Sequence, residues 1–241
     1  KKNITFSLAI AKKIASLYQQ GIEFDIVHAT NWDVESLALI RAGVYPLALM
    51  LVTPLTQVAQ AEKWGLNDDL RASIALDRWQ IEHADVICIP AKGVLKSYAS
   101  LMDIYSDDFS HLEITPLGII PEYSTAVSHQ SGPRRLLFVG RLEWRKGIHT
   151  LLEALPDLMQ RFPDWECHIV GNDQVSALNG ETFKQEFQKR YSSAPWLNRI
   201  IFHGMVPQDE LLAQYQSCDL FVAPSLFESF GLIFQEAMQY G

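Results

Sequence analysis

Two stretches of this chain carry residue types that could handle an anionic, hydroxyl-rich ligand. The first is Phe138-Val139-Gly140-Arg141-Leu142-Glu143-Trp144-Arg145-Lys146-Gly147, an apolar run closed by Gly140 and followed at once by Arg141, Arg145 and Lys146. Guanidinium forks and an ammonium point charge are suited to gripping an anion, most simply a diphosphate. Taken by itself, such a run of charge is equally well explained as a solvated loop. The second stretch is Pro224-Ser225-Leu226-Phe227-Glu228-Ser229-Phe230-Gly231-Leu232-Ile233-Phe234-Gln235-Glu236-Ala237-Met238. It reads as a loop carrying Glu228 and then a helix that starts near Phe230 and carries Glu236 about two turns along. A helix start offers unpaired N–H groups to a phosphate, and Gly231 allows close backbone approach. Two carboxylates beside it would accept hydrogen bonds from sugar or ribose hydroxyls. The plainer alternative makes Glu228 an acid at a helix start and Glu236 a surface residue. Against that, Glu236 sits among Phe234, Ala237 and Met238, where a half-buried acid needs a partner.

Both stretches lie where a strand hands over to a helix, and the surrounding pattern supplies such units repeatedly. In the first half, helical spacing runs from Ile4 to Tyr18, with Phe6, Leu8, Ile10, Ile14 and Leu17 as its apolar stripe. Strands are expected at Phe24–Ala29, Pro46–Val52, Asp85–Ile89 and Leu112–Pro116, and helices at Val34–Arg41, Ser73–Glu82 and Lys92–Leu101. The pattern lapses in the polar, turn-rich stretch Pro121 to Pro133. It restarts with strands at Leu136–Val139, Cys167–Val170, Ile200–His203 and Leu220–Ala223, interleaved with helices at Ile148–Met159, Thr182–Tyr191, Glu210–Tyr215 and Gly231–Gln239. Alternating strands and helices build parallel sheets from βαβ units, and ligands of such sheets bind beyond the carboxyl ends of the strands. The expected organisation is α/β, with a first domain over 1–121, a linker over 122–133 and a second domain over 134–241. The first half opens on a helix and the second closes on one, so both domains are expected to be truncated.

Composition narrows the partners. Twenty basic residues stand against 28 acidic ones, a formal net charge of −8, which disfavours a nucleic-acid partner. Cys88, Cys167 and Cys218 lie far apart in apolar surroundings and read as core thiols in a reducing compartment. No metal-ligand spacing is present. The most apolar stretch, Ala42 to Leu55, is too short to span a bilayer and contains Pro46 and Pro54. With no leader pattern at its start, the chain is expected in the cytoplasm, including the inner face of the membrane, with at most peripheral membrane association.

Four motifs occur in order: Gly-Arg-Leu-x-x-x-Lys-Gly at 140–147, Ile-Val-Gly-Asn-Asp at 169–173, Phe-His-Gly-Met-Val at 202–206 and Pro-Ser-x-x-Glu-Ser-Phe-Gly-x-x-x-x-Glu-Ala-Met at 224–238. Together they resemble glycosyltransferase family 4, retaining hexosyltransferases of the GT-B fold, in which two Rossmann-like domains face a cleft. The resemblance implies that Arg141 and Lys146 grip the donor diphosphate in place of a metal ion. It implies that Glu228 contacts the transferred sugar and Glu236 the ribose hydroxyls. The main chain of Phe230, Gly231 and Leu232 would cradle sugar and phosphate, Gly140 and Gly171 would line the nucleotide loop, and Val206 would lie near the base. The donor would be a nucleoside diphosphate sugar, with a UDP-sugar expected and no separate cofactor. The acceptor would be a glycan, polysaccharide or lipid-linked hydroxyl.

The first half departs from the family pattern. Thr30 and Val52 stand where histidines are usual, and Pro116-Leu117-Gly118 lacks the usual central Asn. His28 lies in an apolar run and reads as a core histidine rather than an active-site one. Two other readings therefore stay open: a binding-only or inactive relative, and a sugar-nucleotide epimerase on the same scaffold.

Overall fold

The computed structural model describes residues 2–109, 111–119, 132–173 and 180–241. By internal contacts the chain divides into two units, Lys1–Leu117 and Gly118–Gly241. The expected linker, 122–133, lies outside the described residues except for Gly132 and Pro133.

The N-terminal unit consists of α1 (Lys2–Gln19), β1 (Val27–Thr30), α2 (Leu37–Ala42), β2 (Leu47–Met50), α3 (Leu55–Ala61), α4 (Asp68–His83), β3 (Val86–Ile89), α5 (Lys92–Met102) and β4 (Leu112–Ile114). All strands are parallel, in the order β1-β2-β3-β4. β2 is buried along its whole length, which explains the unbroken Leu-Ala-Leu-Met. Its core joins Leu47, Leu49, Leu51, Ile87 and Ile89 to Ile81, Val94 and Tyr98 from the helices.

Three expectations need correction here. The buried face of α1 is not the stripe through Phe6 and Leu8, which are 52% and 50% exposed. It runs through Ser7, Ile10, Ala11 and Ile14, and the Ser7 hydroxyl accepts a bond from the Ala38 N–H at 2.8 Å. A buried Ser satisfied by a neighbouring backbone is invisible to a count of apolar spacing. His28 is exposed, not a core residue. It belongs to β1, an edge strand among those described, where alternate side chains leave the core. Finally, α3 is a further helix, seven residues long, which the continuous apolar run through Ala42–Leu55 disguised.

The C-terminal unit consists of β5 (Arg134–Val139), α6 (Ile148–Arg161), β6 (Trp165–Val170), α7 (Phe183–Arg190), β7 (Ile200–Gly204), α8 (Gln208–Ser217), β8 (Leu220–Phe221) and α9 (Leu232–Met238). The sheet is parallel, ordered β7-β6-β5-β8. The amphipathic spacing of α6 buries Ile148, Leu151, Leu152, Leu155 and Met159. At roughly 2 kcal/mol for each buried aliphatic side chain, this face contributes about 10 kcal/mol before chain entropy is subtracted. It packs on Leu136, Phe138, Cys167 and Ile169, while Leu137, Val139 and Val170 face Tyr215 and Tyr240 on the other side. Burial pushes the Cys167 thiol up to about 12, leaving it an inert core group. α7 opens with a capping box, Thr182 and Gln185 bonding reciprocally.

Candidate functional site

Strand order fixes where the C-terminal unit can hold a ligand. From β5 the chain winds outward through β6 and β7, then returns to place β8 on the opposite side of β5. The switch point therefore lies between β5 and β8, and the loops leaving these two strands diverge above a crevice. Those loops carry the two stretches singled out from sequence.

Glycines weld the loops together. Gly171, just after β6, has φ 141°, and a Cβ there would lie 1.9 Å from the Gly140 carbonyl oxygen. Gly147 has φ 70°, and its Cβ would lie 1.8 Å from the Pro224 oxygen. No side chain fits at either position, so these are backbone-on-backbone contacts. Hydrogen bonds reinforce them: Gly140 N–H to Val170 O (2.9 Å), Leu142 N–H to Asn172 O (2.8 Å) and Leu226 N–H to Arg145 O (2.8 Å). Between the glycines the β5 loop makes a 3-10 turn, Trp144–Lys146, closed by left-handed Gly147 before α6 starts.

This welding brings the cations and carboxylates together. The Lys146 ammonium donates to both oxygens of Glu228, at 2.7 and 2.9 Å, with the two side chains only 14% and 17% exposed. The Ser225 hydroxyl donates to the same carboxylate at 2.7 Å. Arg145, grouped by sequence with the anion-gripping cations, is buried instead. It donates to the buried Glu143 carboxylate at 2.7 Å and reaches the Phe227 carbonyl at 3.4 Å, tying the β5 loop to the β8 loop. A desolvated guanidinium needs such partners, which makes Arg145 a bracket rather than a ligand group. Arg141 keeps a side chain 50% exposed, 3.2 Å from Glu143.

Phe230, Gly231 and Leu232 lead into α9. Gly231 has φ 79°, and an added Cβ would meet the Phe234 ring at 2.9 Å. Glu236 is half-buried, and its carboxylate accepts the Tyr215 hydroxyl at 3.0 Å. Burial together with Glu236 raises the Tyr215 pKa, so this hydroxyl stays a donor. Val206 follows β7 and packs against the Tyr215 side of the sheet. Ser225, Glu143 and Tyr215 went unremarked in the sequence. The signals were local for two of them, Ser225 three residues before Glu228 and Glu143 two residues from both arginines, whereas Tyr215 is legible only in three dimensions. Among the described residues, no cluster of three or more His, Cys, Asp or Glu side chains could hold a metal ion.

In the N-terminal unit, the positions where histidines were expected are occupied by hydrogen-bonded groups. Thr30 donates its N–H and hydroxyl to Glu35, at 3.1 and 2.8 Å. Val52 is held through its main chain, its N–H bonded to Asn31 Oδ1 and its carbonyl to the Tyr98 hydroxyl.

Two parallel-sheet Rossmann-like units, one with charged loops converging at a switch point, define an α/β protein of the GT-B type. Solved structures agree on the fold. Sucrose-phosphate synthase from Thermosynechococcus elongatus matches with a TM-score of 0.74 and 18% identity, over 100% of this chain and 60% of that one. Anabaena HepE, solved with UDP and glucose, matches with a TM-score of 0.68 and 20% identity, over 94% and 60%. A family model described as glycosyl transferases group 1 matches residues 120–241, and the chain belongs to that family. Among curated relatives, glycogen synthase from Mycobacterium tuberculosis is 26% identical over 90% of this chain and 50% of its own length. Phosphatidyl-myo-inositol mannosyltransferase from the same species is 27% identical over 99% and 58%. The chain thus spans about half the length of the curated relatives it matches. No helix among the described residues is long and apolar enough to cross a membrane.

Proposed function

We propose that this chain is the sugar-transferring part of a retaining, metal-independent glycosyltransferase. It takes a nucleoside diphosphate sugar, a UDP-sugar first among them, and delivers the sugar to a hydroxyl of a glycan, polysaccharide or lipid-linked acceptor at the cytoplasmic side. The observation that carries this reading is the meeting of Lys146 with Glu228, one from each loop flanking the switch point.

Breaking the bond between sugar and diphosphate leaves an oxocarbenium-like ring and growing negative charge on the leaving group. Arg141 and Lys146 supply fixed positive charge for that oxygen cluster, in loops held rigid before the ligand arrives. The N–H groups around Gly231 and Leu232 add donors without a charge of their own. Glu228, already oriented by Ser225 and Lys146, accepts hydroxyls of the transferred sugar and positions it. Glu236 keeps one oxygen for the ribose while Tyr215 holds the other. Attack on the same face that the diphosphate leaves, with the departing phosphate taking the acceptor proton, gives retention and asks for no further base.

Thermal shift with UDP, GDP and ADP tests donor binding, because a ligand of the native state raises Tm. UDP is expected to give the largest rise. Arg141→Ala should remove roughly 2–4 kcal/mol of transition-state stabilisation, about a hundredfold in turnover, in the full-length protein. Unchanged turnover in that variant overturns the assignment.

A further inference from the structure

Outside the β5 and β8 loops, the C-terminal unit carries a second cluster of titratable side chains. His168 of β6 and His203 of β7 meet ring to ring, with His168 Nδ1 hydrogen-bonded to His203 Nε2 at 3.0 Å. His168 is only 8% exposed, and its Nε2 lies 3.4 Å from the Glu166 carboxylate. Among the described residues no third His, Cys, Asp or Glu joins the pair to complete a metal site. What the two rings share is a proton.

The pair sits on an irregularity of the sheet. Where β6 runs beside β7, His168 is paired with Ile201 and Ile169 with Phe202, but the next residue, Val170, is paired with Gly204. His203 is thus an extra residue in β7, opposite none of β6. Bulges of this kind re-aim a side chain and occur beside functional sites. Here the re-aimed ring is tied back to β6, and the bulge it pins sets the position of Gly204. Gly204, left-handed at φ 72°, offers its carbonyl to the Gly171 N–H at 2.8 Å. Gly171 in turn lies against the Gly140 carbonyl, where a Cβ would come within 1.9 Å. A continuous run of contacts therefore leads from the imidazole pair to the residue before Arg141.

Such a pair takes up protons in two steps. In the neutral pair one ring donates and the other accepts. After one added proton the imidazolium still donates to its neutral neighbour, and the bond survives. After the second, each ring presents an N–H, the lone pair between them is gone, and two like charges face one another. We propose that His168 and His203 are positioning residues for the donor loops: their bond holds the β7 bulge, and its loss in acid loosens Gly204 from Gly171 and weakens binding of a nucleoside diphosphate. The effect on the nucleotide rests on the donor reading above; the coupling of the pair to the Gly171–Gly204 contact does not. Surrounding charges set the acid range. Burial lowers both rings, opposed by Glu166 at His168 and by Glu210 of α8 at His203, while Arg135 of β5 lowers both. The bond is therefore intact at neutral pH and opens only below the ordinary histidine range.

Two measurements on the whole chain test this. In ¹⁵N NMR across an acid titration, the ring nitrogens report each protonation step and the Gly171 amide reports its contact with Gly204. The Gly171 shift should follow the second step. By reciprocity, UDP should lower the midpoint of that step, by about one pH unit for a tenfold difference in affinity. Calorimetric titration with UDP then compares three proteins, so that the ionisation of UDP itself cancels. In His168→Asn, Oδ1 takes the place of Nδ1, accepts from His203 and never titrates; His168→Phe fills the space without accepting. At neutral pH wild type and His168→Asn should bind alike and His168→Phe about tenfold more weakly, the worth of one hydrogen bond. Once both rings are protonated, wild type should fall to the level of His168→Phe. A pair that stays bonded until the protein unfolds, or a Gly171 amide indifferent to the second step, overturns the proposal, and neither result needs the variants to fold. UDP bound equally by all three proteins throughout overturns it and leaves the donor reading standing. No UDP binding at any pH, with Gly171 still following the rings, keeps the pinned bulge and removes the donor reading.

Discussion

Replacing Gly147 and Gly204 by alanine, one at a time, isolates the contact that holds the β5 and β8 loops together. Both glycines have nearly the same left-handed backbone, φ 70° and 72°, in the same unit. An L-residue in that region costs about 1 kcal/mol in either case. At Gly204 nothing lies within 4 Å of the new methyl group, so the cost ends there. At Gly147 the methyl would sit 1.8 Å from the Pro224 oxygen, and the loops must part by more than about 1.2 Å to restore even a tight contact. That separation strains or breaks the 2.8 Å bond from Leu226 N–H to Arg145 O and loosens the packing around it, together adding roughly 2–3 kcal/mol. The C-terminal unit should therefore lose about 1 kcal/mol with Gly204→Ala and about 3–4 kcal/mol with Gly147→Ala. At roughly 4 °C per kcal/mol for a unit of this size, the melting shifts are about 4 °C and 12–16 °C. Scanning calorimetry, with urea titration as an independent measure, reads the difference directly. Equal losses from the two substitutions would refute the idea that backbone contact at Pro224 holds the loops in place.

Lys146→Met should cost the C-terminal unit about 2–4 kcal/mol in urea unfolding, because it leaves the mostly buried Glu228 facing only Ser225 and a guanidinium 4.0 Å away. Adding Glu228→Gln should recover at least half of that loss, and no recovery would show that the pair is not coupled. The two units should respond to pH in opposite directions. Burial pushes Asp77 up to about 7, so the native N-terminal unit binds a proton that the unfolded chain releases near 4; its stability is fullest below that lower value and falls as pH rises to 7, by on the order of 4 kcal/mol. Burial instead lowers His168 and His203, whose facing nitrogens are 3.0 Å apart, with Arg135 nearby lowering both. Here the unfolded chain binds the extra protons, so the C-terminal unit is unaffected above about 6.5 and loses stability as pH falls below it. Calorimetry of Asp77→Asn and His168→Gln across pH 4–8 checks both slopes, and parallel slopes in the two units would contradict the assignments.

The parallel sheets were legible because their strands are short apolar runs between amphipathic helices. β5 and α6 follow directly from Leu136–Val139 and from the spacing Ile148, Leu151, Leu152, Leu155 and Met159. The positions of Arg141, Lys146 and Glu228 on strand-to-helix loops, and of Glu236 in the helix that follows, were legible for the same reason. What the sequence could not separate was the behaviour of like residues. Arg141 and Arg145 stand in the same loop, yet one is half exposed and the other spans two loops from a buried position. That difference is set by Gly147, which brings Phe227 and Pro224 within reach, a contact across roughly eighty positions of chain. The Asn31–Asp77–Tyr98 network has no sequence signature because its members lie just after β1, in α4 and in α5, with no common spacing. Ser7 and His28 were misjudged because apolar periodicity counts neither a satisfied buried hydroxyl nor the exposure of an edge strand.

The pairing of Lys146 with Glu228 also bears on how a donor would be held. Without a ligand the ammonium is already neutralised by a carboxylate accepting two bonds, so little free charge remains there to attract a diphosphate. Arg141, half in solvent with one contact at 3.2 Å, is the cation that projects a field outward. On the proposed reading the two therefore divide the work. Arg141 draws the diphosphate in, an attraction that salt screening weakens. Lys146 exchanges part of its bonding from Glu228 to the phosphate, and the carboxylate thereby freed turns to the sugar hydroxyls. Ser225 and Arg145 keep that carboxylate from becoming an unpaired buried charge during the exchange. Binding of the donor and orientation of its sugar are then one event at one residue pair, which explains why the pair belongs on two loops locked together before any ligand arrives.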